Sequence, residues 1–215
     1  MEHEHHLGDI VANAVTHGVG AALAIVGCIT LIVLAVTRGA TAVQLVSCAV
    51  FGSTLVLVYV CSTLYHSLVR TRARHVLQIL DHSSIFLLIA GTYTPFTLVT
   101  LRGRVGWLLF AIVWTMALGG IVFKCVAMDK LPMVSVMMYF VMGYLVVAAL
   151  PRLAAAVGWH GLLWILGGGI FYTAGIVFFA FDRVRYFHAL WHVFVLGGSA
   201  LHFVAVLLYV VPARA

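Results

Sequence analysis

Apolar residues occur in seven long runs along the chain, and each run is bounded by charged residues, glycine or proline. An α-helix needs roughly 20 apolar residues to cross a bilayer, and the runs are about that long. A membrane β-barrel would instead show short segments of alternating polarity. We therefore predict an all-α fold, a bundle of seven transmembrane helices near residues 16–36, 43–68, 78–100, 105–125, 132–150, 161–181 and 187–211.

Composition supports lipid as the main solvent of this chain. Of its 215 residues, 64% are hydrophobic and only 8% are charged, whereas about a quarter of the residues of a soluble domain are charged. Seven crossings with short connections leave no room for a separate soluble domain. We predict one membrane domain over residues 1–215, with residues 1–12 as a short cytoplasmic N-terminal tail.

The distribution of positive charge predicts the orientation and excludes one class of partner. The formal net charge is +6, but the basic residues lie in small groups between apolar runs, which is typical of contact with lipid headgroups and not of nucleic-acid binding. Alternate connections share a side, and seven Lys and Arg residues lie on one side against five on the other. The positive-inside rule then puts the N-terminus in the cytoplasm. We expect a protein of the inner (plasma) membrane with membrane lipids as its partners.

Several ionisable side chains lie inside the predicted spans, where lipid tolerates them only with a partner, a cavity or a function. Because successive helices are antiparallel, the end of the second span and the starts of the first, third and seventh lie at one face. The polar residues at this common level are Asn13, His17, His66, Asp81, His188 and His192. We expect Asn13 and His17 to play a supporting or structural role.

Three of these histidines form the ligand set of an open zinc site. His188 and His192 are four residues apart and so share one helix face, and His66 adds an imidazole from another helix. Three nitrogens with a water in the fourth position are typical of catalytic Zn²⁺, with Asp81 and Ser62 as candidate neighbours of that water. A hydrogen bond to a neighbouring helix is the alternative for each histidine taken alone.

Three motifs resemble the bacterial hemolysin III proteins of the progestin and adiponectin receptor superfamily. They are Asn13 to Gly18, then Ser62 to His66 with Leu80 to Ser84, and His188 to His192. The resemblance implies seven helices, a cytoplasmic N-terminus and an intramembrane zinc held by His66, His188 and His192, with Asp81 contacting it through water. The family commonly has a Glu three residues before Asn13, where this chain has Ile10 preceded by Asp9.

Two functions remain open at this point. In the first, the protein is a zinc-dependent hydrolase of a lipid amide or ester that acts in membrane homeostasis, with Asp81 as general base and Ser62 orienting the water. In the second, zinc is structural in a non-enzymatic membrane protein, such as a sensor of membrane order or a cytolytic pore. Direct coordination by Asp81 would favour the structural site, and a water between Asp81 and zinc would favour hydrolysis.

Overall fold

The computed structural model of the protein describes residues 7–127 and 132–212, and these residues are almost entirely helical. A π-helix, Phe96–Leu101, continues α3, and a 3₁₀-helix, Leu145–Ala149, joins α5 to α6. The α-helices are α1 Leu7–Thr37, α2 Ala42–Ser67, α3 Arg74–Pro95, α4 Gly103–Ala127, α5 Pro132–Tyr144, α6 Leu150–Ala180 and α7 Phe187–Tyr209.

In the described part of the chain, six helices are long and apolar enough to cross a membrane. Five correspond to predicted spans, which confirms an all-α membrane protein. The remaining one is continuous from Met133 to Ala180, 48 residues, and it covers the two predicted spans 132–150 and 161–181. Seven separate spanning helices are therefore not confirmed.

The connection predicted between the spans 132–150 and 161–181, which begins at Pro151, is where the sequence analysis and the structure differ. Pro151 lies in the first turn of α6, where a missing backbone N–H removes no helical hydrogen bond, so proline starts this helix and does not end one. The irregular points are the 3₁₀-helix before Pro151 and Gly158 after it. Gly158 has φ +69°, a left-handed conformation that glycine adopts without a steric penalty.

The helices pack mainly against their neighbours along the chain. Helix α2 lies between α1 and α3, α4 lies against α3, and α7 packs against both α6 and α1. Helix α5 contacts α3 and α4. This arrangement brings the start of α1, the end of α2 and the starts of α3 and α7 to one end of the bundle.

Small residues allow α3 to approach its neighbours closely. A Cβ atom at Gly91 would overlap the Thr54 side chain of α2, and one at Gly120 of α4 would overlap the Phe86 ring of α3. Glycine at such crossings lets two helices approach at backbone distance, as is common in membrane proteins. Helix α3 is thereby fixed between α2 and α4, and Asp81 is fixed with it.

Candidate metal centre

His66, His188 and His192 lie together at one end of the bundle. Each offers one ligand atom, and the three atoms lie within 4.8 Å of one another. The ring centroids of His66 are 5.0 Å from those of both other histidines, and the centroids of His188 and His192 are 4.7 Å apart. Three imidazoles on a tetrahedral ion with Zn–N bonds of about 2.0 Å have their centroids about 5 Å apart. The spacing of the rings therefore fits a metal ion.

Two helices supply these three histidines. His188 and His192 lie one turn apart at the start of α7, and His66 lies in the last turn of α2. His192 is fully buried and His66 is 7% exposed. Nε2 of His192 has no hydrogen-bond partner among the residues that the structure describes, and a buried polar atom of this kind is uncommon in proteins unless it binds a ligand.

The tautomer of His192 follows from its hydrogen bond to α1. The Thr16 hydroxyl donates to the Ala12 carbonyl at 2.8 Å, so its oxygen is an acceptor towards Nδ1 of His192, 3.1 Å away. Nδ1 therefore carries the proton, and the lone pair of His192 is on Nε2, as metal binding requires. The backbone of Asn13 also bonds to the His192 ring.

His17 supports the same ring from its face. The centroids of the His17 and His192 rings are 3.5 Å apart with an interplanar angle of 16°. The His17 and Tyr59 rings form a T-shaped pair with centroids 5.1 Å apart. His17 and Asn13 are both buried. Asn13 and His17 thus lie around a candidate ligand and outside the three-histidine group.

Asp81 and Ser62 lie beside each other near the histidines. Asp81 is 6% exposed and Ser62 is 1% exposed. The Ser62 hydroxyl lies close to the Asp81 carboxylate, while Ser62 Oγ has no hydrogen-bond partner among the described residues. Among the described residues, the group that shares one metal position consists of the three histidines and does not include Asp81. Three protein ligands leave a fourth position of a tetrahedral site for water or substrate.

Comparison with known proteins identifies the family. A family model described as haemolysin-III related matches residues 9–203. The chain belongs to this family. It is 47% identical over 202 residues to Hemolysin-3 of Bacillus cereus, covering 94% of this chain and 92% of that protein. It is 44% identical over 201 residues to the Hemolysin-3 homolog of Bacillus subtilis, covering 94% of each. It is 29% identical over 170 residues to the human Monocyte to macrophage differentiation factor, covering 74% and 68% of the two chains.

Membership of the haemolysin-III-related family and the apolar helices together make this a multi-pass membrane protein. A cavity of about 420 Å³ lies within the bundle of this family member. Its wall includes Asp81 and His17, the stacking partner of His192, but none of the three clustered histidines. Asp81 and His17 line the end near the histidines, and the cavity extends to His202, which is ten residues beyond His192 and so roughly 15 Å deeper along α7. Most of its wall is apolar, with side chains such as Ile85 and Ile165.

His202 is separate from the candidate metal centre, as its position in the sequence predicts. Its Nδ1 lies 2.9 Å from the Gly198 carbonyl oxygen, and its ring stacks on Tyr172. The Tyr172 hydroxyl is in turn 2.9 Å from Ser199 Oγ. His202 therefore belongs to a second polar group, formed with Tyr172 and Ser199, that lies deeper in the bundle.

Sequence reasoning missed two residues at this end of the bundle, Thr16 and Lys124. Thr16 was not considered, because a threonine within a helix usually bonds only to the carbonyl four residues earlier. Lys124 was counted as a flanking positive charge, yet it is 4% exposed and its charge acts on Asp81. Its position inside the apolar run of α4 was the available signal.

Asp9, which the sequence analysis notes just before the first motif, contacts the start of α7. Its Oδ1 accepts a hydrogen bond from the backbone N–H of Tyr186 at 2.9 Å. Tyr186 has φ +64° and immediately precedes α7, so Asp9 fixes an uncommon backbone conformation two residues before His188. A carboxylate one position away from the usual family position thus contacts the start of the helix that carries two histidines.

Proposed function

We propose that this membrane protein is a zinc-dependent hydrolase of a lipid amide or ester, with the metal on His66, His188 and His192. One observation carries the proposal: three histidines with converging ligand atoms lie inside a membrane protein, near an apolar cavity whose wall includes Asp81 and His17, the stacking partner of His192. An apolar cavity with a few convergent polar groups is the usual form of a site for an apolar ligand.

The donor set suits zinc. Neutral imidazoles bind Zn²⁺ well, and the fixed Nδ1–H of His192 leaves Nε2 for the metal. When bound, zinc supplies Lewis acidity towards a carbonyl oxygen and lowers the pKa of a coordinated water towards 7.

Asp81 and Ser62 then have distinct roles in our proposal. Asp81 accepts a proton from the water that attacks the carbonyl carbon, and it later delivers that proton to the leaving nitrogen or oxygen as the bond to the acyl carbon breaks. The products are a carboxylic acid and an amine or alcohol, so one water is consumed. Ser62, whose buried hydroxyl lies close to Asp81 and has no hydrogen-bond partner among the described residues, orients the attacking water.

The proposed topology has seven crossings with the N-terminus in the cytoplasm of the inner membrane. A straight helix of the 48 residues from Met133 to Ala180 would be about 72 Å long, more than twice the hydrocarbon thickness of a bilayer. The 3₁₀-helix at Leu145–Ala149 and the positive φ at Gly158 support two crossings within it. With this topology the single membrane domain has its metal centre near the cytoplasmic face.

A structural metal is the second candidate, because the cluster joins helices that are distant in the sequence. His66 is on α2 and His192 is on α7, where His192 also stacks on His17 of α1. An ion bound by these histidines would join α2 to α7 and stabilise the fold whether or not any reaction occurs. Such a protein would sense membrane order or lyse cells without hydrolysing lipid.

Elemental analysis of the detergent-purified protein is the first test. We expect about one zinc per chain, and loss of that zinc in the double variant His188→Ala, His192→Ala. His160→Ala is the matched control, since His160 is exposed and outside the cluster. Absence of zinc from the wild type, or retention of zinc in the double variant, would overturn the site.

Lipid hydrolysis then separates the two candidates. Release of fatty acid from N-acyl or O-acyl lipids by the zinc-loaded wild type, abolished in Asp81→Asn, would support the hydrolase. A zinc-containing protein that releases no fatty acid, and that melts at a lower temperature after zinc removal, would support the structural metal.

A further inference from the structure

Lys124 of α4 and Ser135 of α5 lie at the same end of the cavity as Asp81. Both are buried, with exposures of 4% and 1%, and both line the cavity. Ser135 Oγ is completely enclosed and has no hydrogen-bond partner among the described residues. Since an unsatisfied hydroxyl in a protein interior destabilises the fold, its retention points to a ligand that uses it.

The charges at this end of the cavity favour an anion. Asp81 and Lys124 are the charged side chains among the described residues that line the cavity, and Lys124 is close enough to Asp81 for its charge to act on the carboxylate. A divalent ion on three neutral imidazoles would add two positive charges that Asp81 alone cannot balance. In a low-dielectric environment, uncompensated positive charge strongly favours a negatively charged ligand.

The ligand must also have an apolar part. Beyond Lys124 and Ser135, the cavity wall consists mainly of apolar side chains from α3, α5, α6 and α7, such as Ile89, Phe140 and Ile170. Its volume of about 420 Å³ is within the range of pockets that hold one small ligand. A single-chain amphiphile with a charged group at one end matches this distribution of polar and apolar surface.

We infer that Lys124 and Ser135 bind an anionic group of the substrate, so that the preferred substrate is a single-chain acyl compound with a negative charge close to its scissile carbonyl. This inference rests on the proposed function for the reaction, but the binding of the anion does not require the reaction. Lys124 supplies charge and up to three N–H donors, and Ser135 supplies one O–H donor.

Two ligands with the same acyl chain and the same amide bond test the inference. N-palmitoylglycine carries a carboxylate, whereas N-palmitoylethanolamine is neutral. Binding of each to the full-length protein in detergent is measured with zinc loaded and after chelation. We expect the wild type to bind the anion roughly tenfold more tightly than the neutral amide, as a charge-assisted hydrogen bond would give.

The variants assign this preference to the two residues. Lys124→Met should reduce the preference to near unity, and Lys124→Arg should retain most of it. Ser135→Ala should weaken binding of the anion severalfold and leave the neutral amide unchanged. Ser47→Ala is its matched control, because Ser47 is also buried with an unpartnered hydroxyl but does not line the cavity.

Each outcome decides something about the inference. Equal binding of the two ligands by the wild type, or an undiminished preference in Lys124→Met or Ser135→Ala, would overturn it. If Lys124→Met does not fold, because Asp81 loses a neighbouring charge, Ser135→Ala carries the test, since it changes no charge. Preferential binding of the anion without hydrolysis of either ligand would overturn the proposed function while supporting the anion site.

Discussion

Replacing Thr16 with valine tests whether α1 prepares His192 for a metal. The two side chains have nearly the same shape, but valine lacks the hydroxyl oxygen that accepts the hydrogen bond from Nδ1–H of His192, 3.1 Å away. Loss of an outer hydrogen-bond partner of a ligating histidine lowers metal affinity roughly 10- to 100-fold. Because the backbone of Asn13 also bonds to the ring, we expect the lower end, about tenfold or 1.4 kcal/mol.

The assay is competition for zinc between the detergent-purified protein and a chromophoric chelator. Thr30→Val is the matched control: Thr30 lies on the same helix, and its hydroxyl likewise bonds to the carbonyl four residues earlier at 2.8 Å. Both variants lose a hydroxyl within α1, but only Thr16 contacts a candidate ligand. Equal zinc affinities for the two variants would refute the role of Thr16 and, with it, the tautomer assigned to His192.

Three further predictions address the site and its supports. His192→Ala should lose zinc and lower the melting temperature in detergent, and normal zinc content in this variant would exclude the proposed ligand set. Asp81→Asn should keep zinc and fold but abolish hydrolysis, so retained turnover would exclude Asp81 as the base. Asp9→Ala should lower the free energy of unfolding by about 1 kcal/mol, as for loss of a cap, because the Tyr186 N–H loses its acceptor. Thermal unfolding measures this, with Asp182→Ala, which removes an exposed carboxylate nearby, as the control. Equal stabilities of the two variants would contradict the prediction.

The convergence of the histidines could be predicted from the sequence because it depends on few variables. Once the spans are known, antiparallel connection fixes which helix ends share a face, and the i, i+4 spacing fixes the side on which His188 and His192 lie. The depth of His66 then follows from its distance to the end of its span. No detail of side-chain packing is needed for this argument.

The surroundings of the histidines could not be predicted in the same way. Lys124 falls at the end of the predicted span 105–125, where a lysine usually extends to the membrane surface. Packing of α4 on α3 buries it instead. The hydrogen bond of Thr16 depends on the rotation of α1 relative to α7, which hydropathy does not determine. The break between α5 and α6 was misplaced because Pro151 is equally compatible with the start of a helix.

The contact between α1 and α7 at His192 also has a consequence for biosynthesis. The chain emerges from the ribosome N-terminal end first, so Thr16 and His17 are in place long before His188 and His192 are made. A nascent chain that ends before α7 has only His66 of the three candidate ligands, and one imidazole does not hold an ion firmly. If the centre binds zinc as we propose, the ion can load only after α7 has been made, so a zinc-loaded chain is one whose bundle is complete.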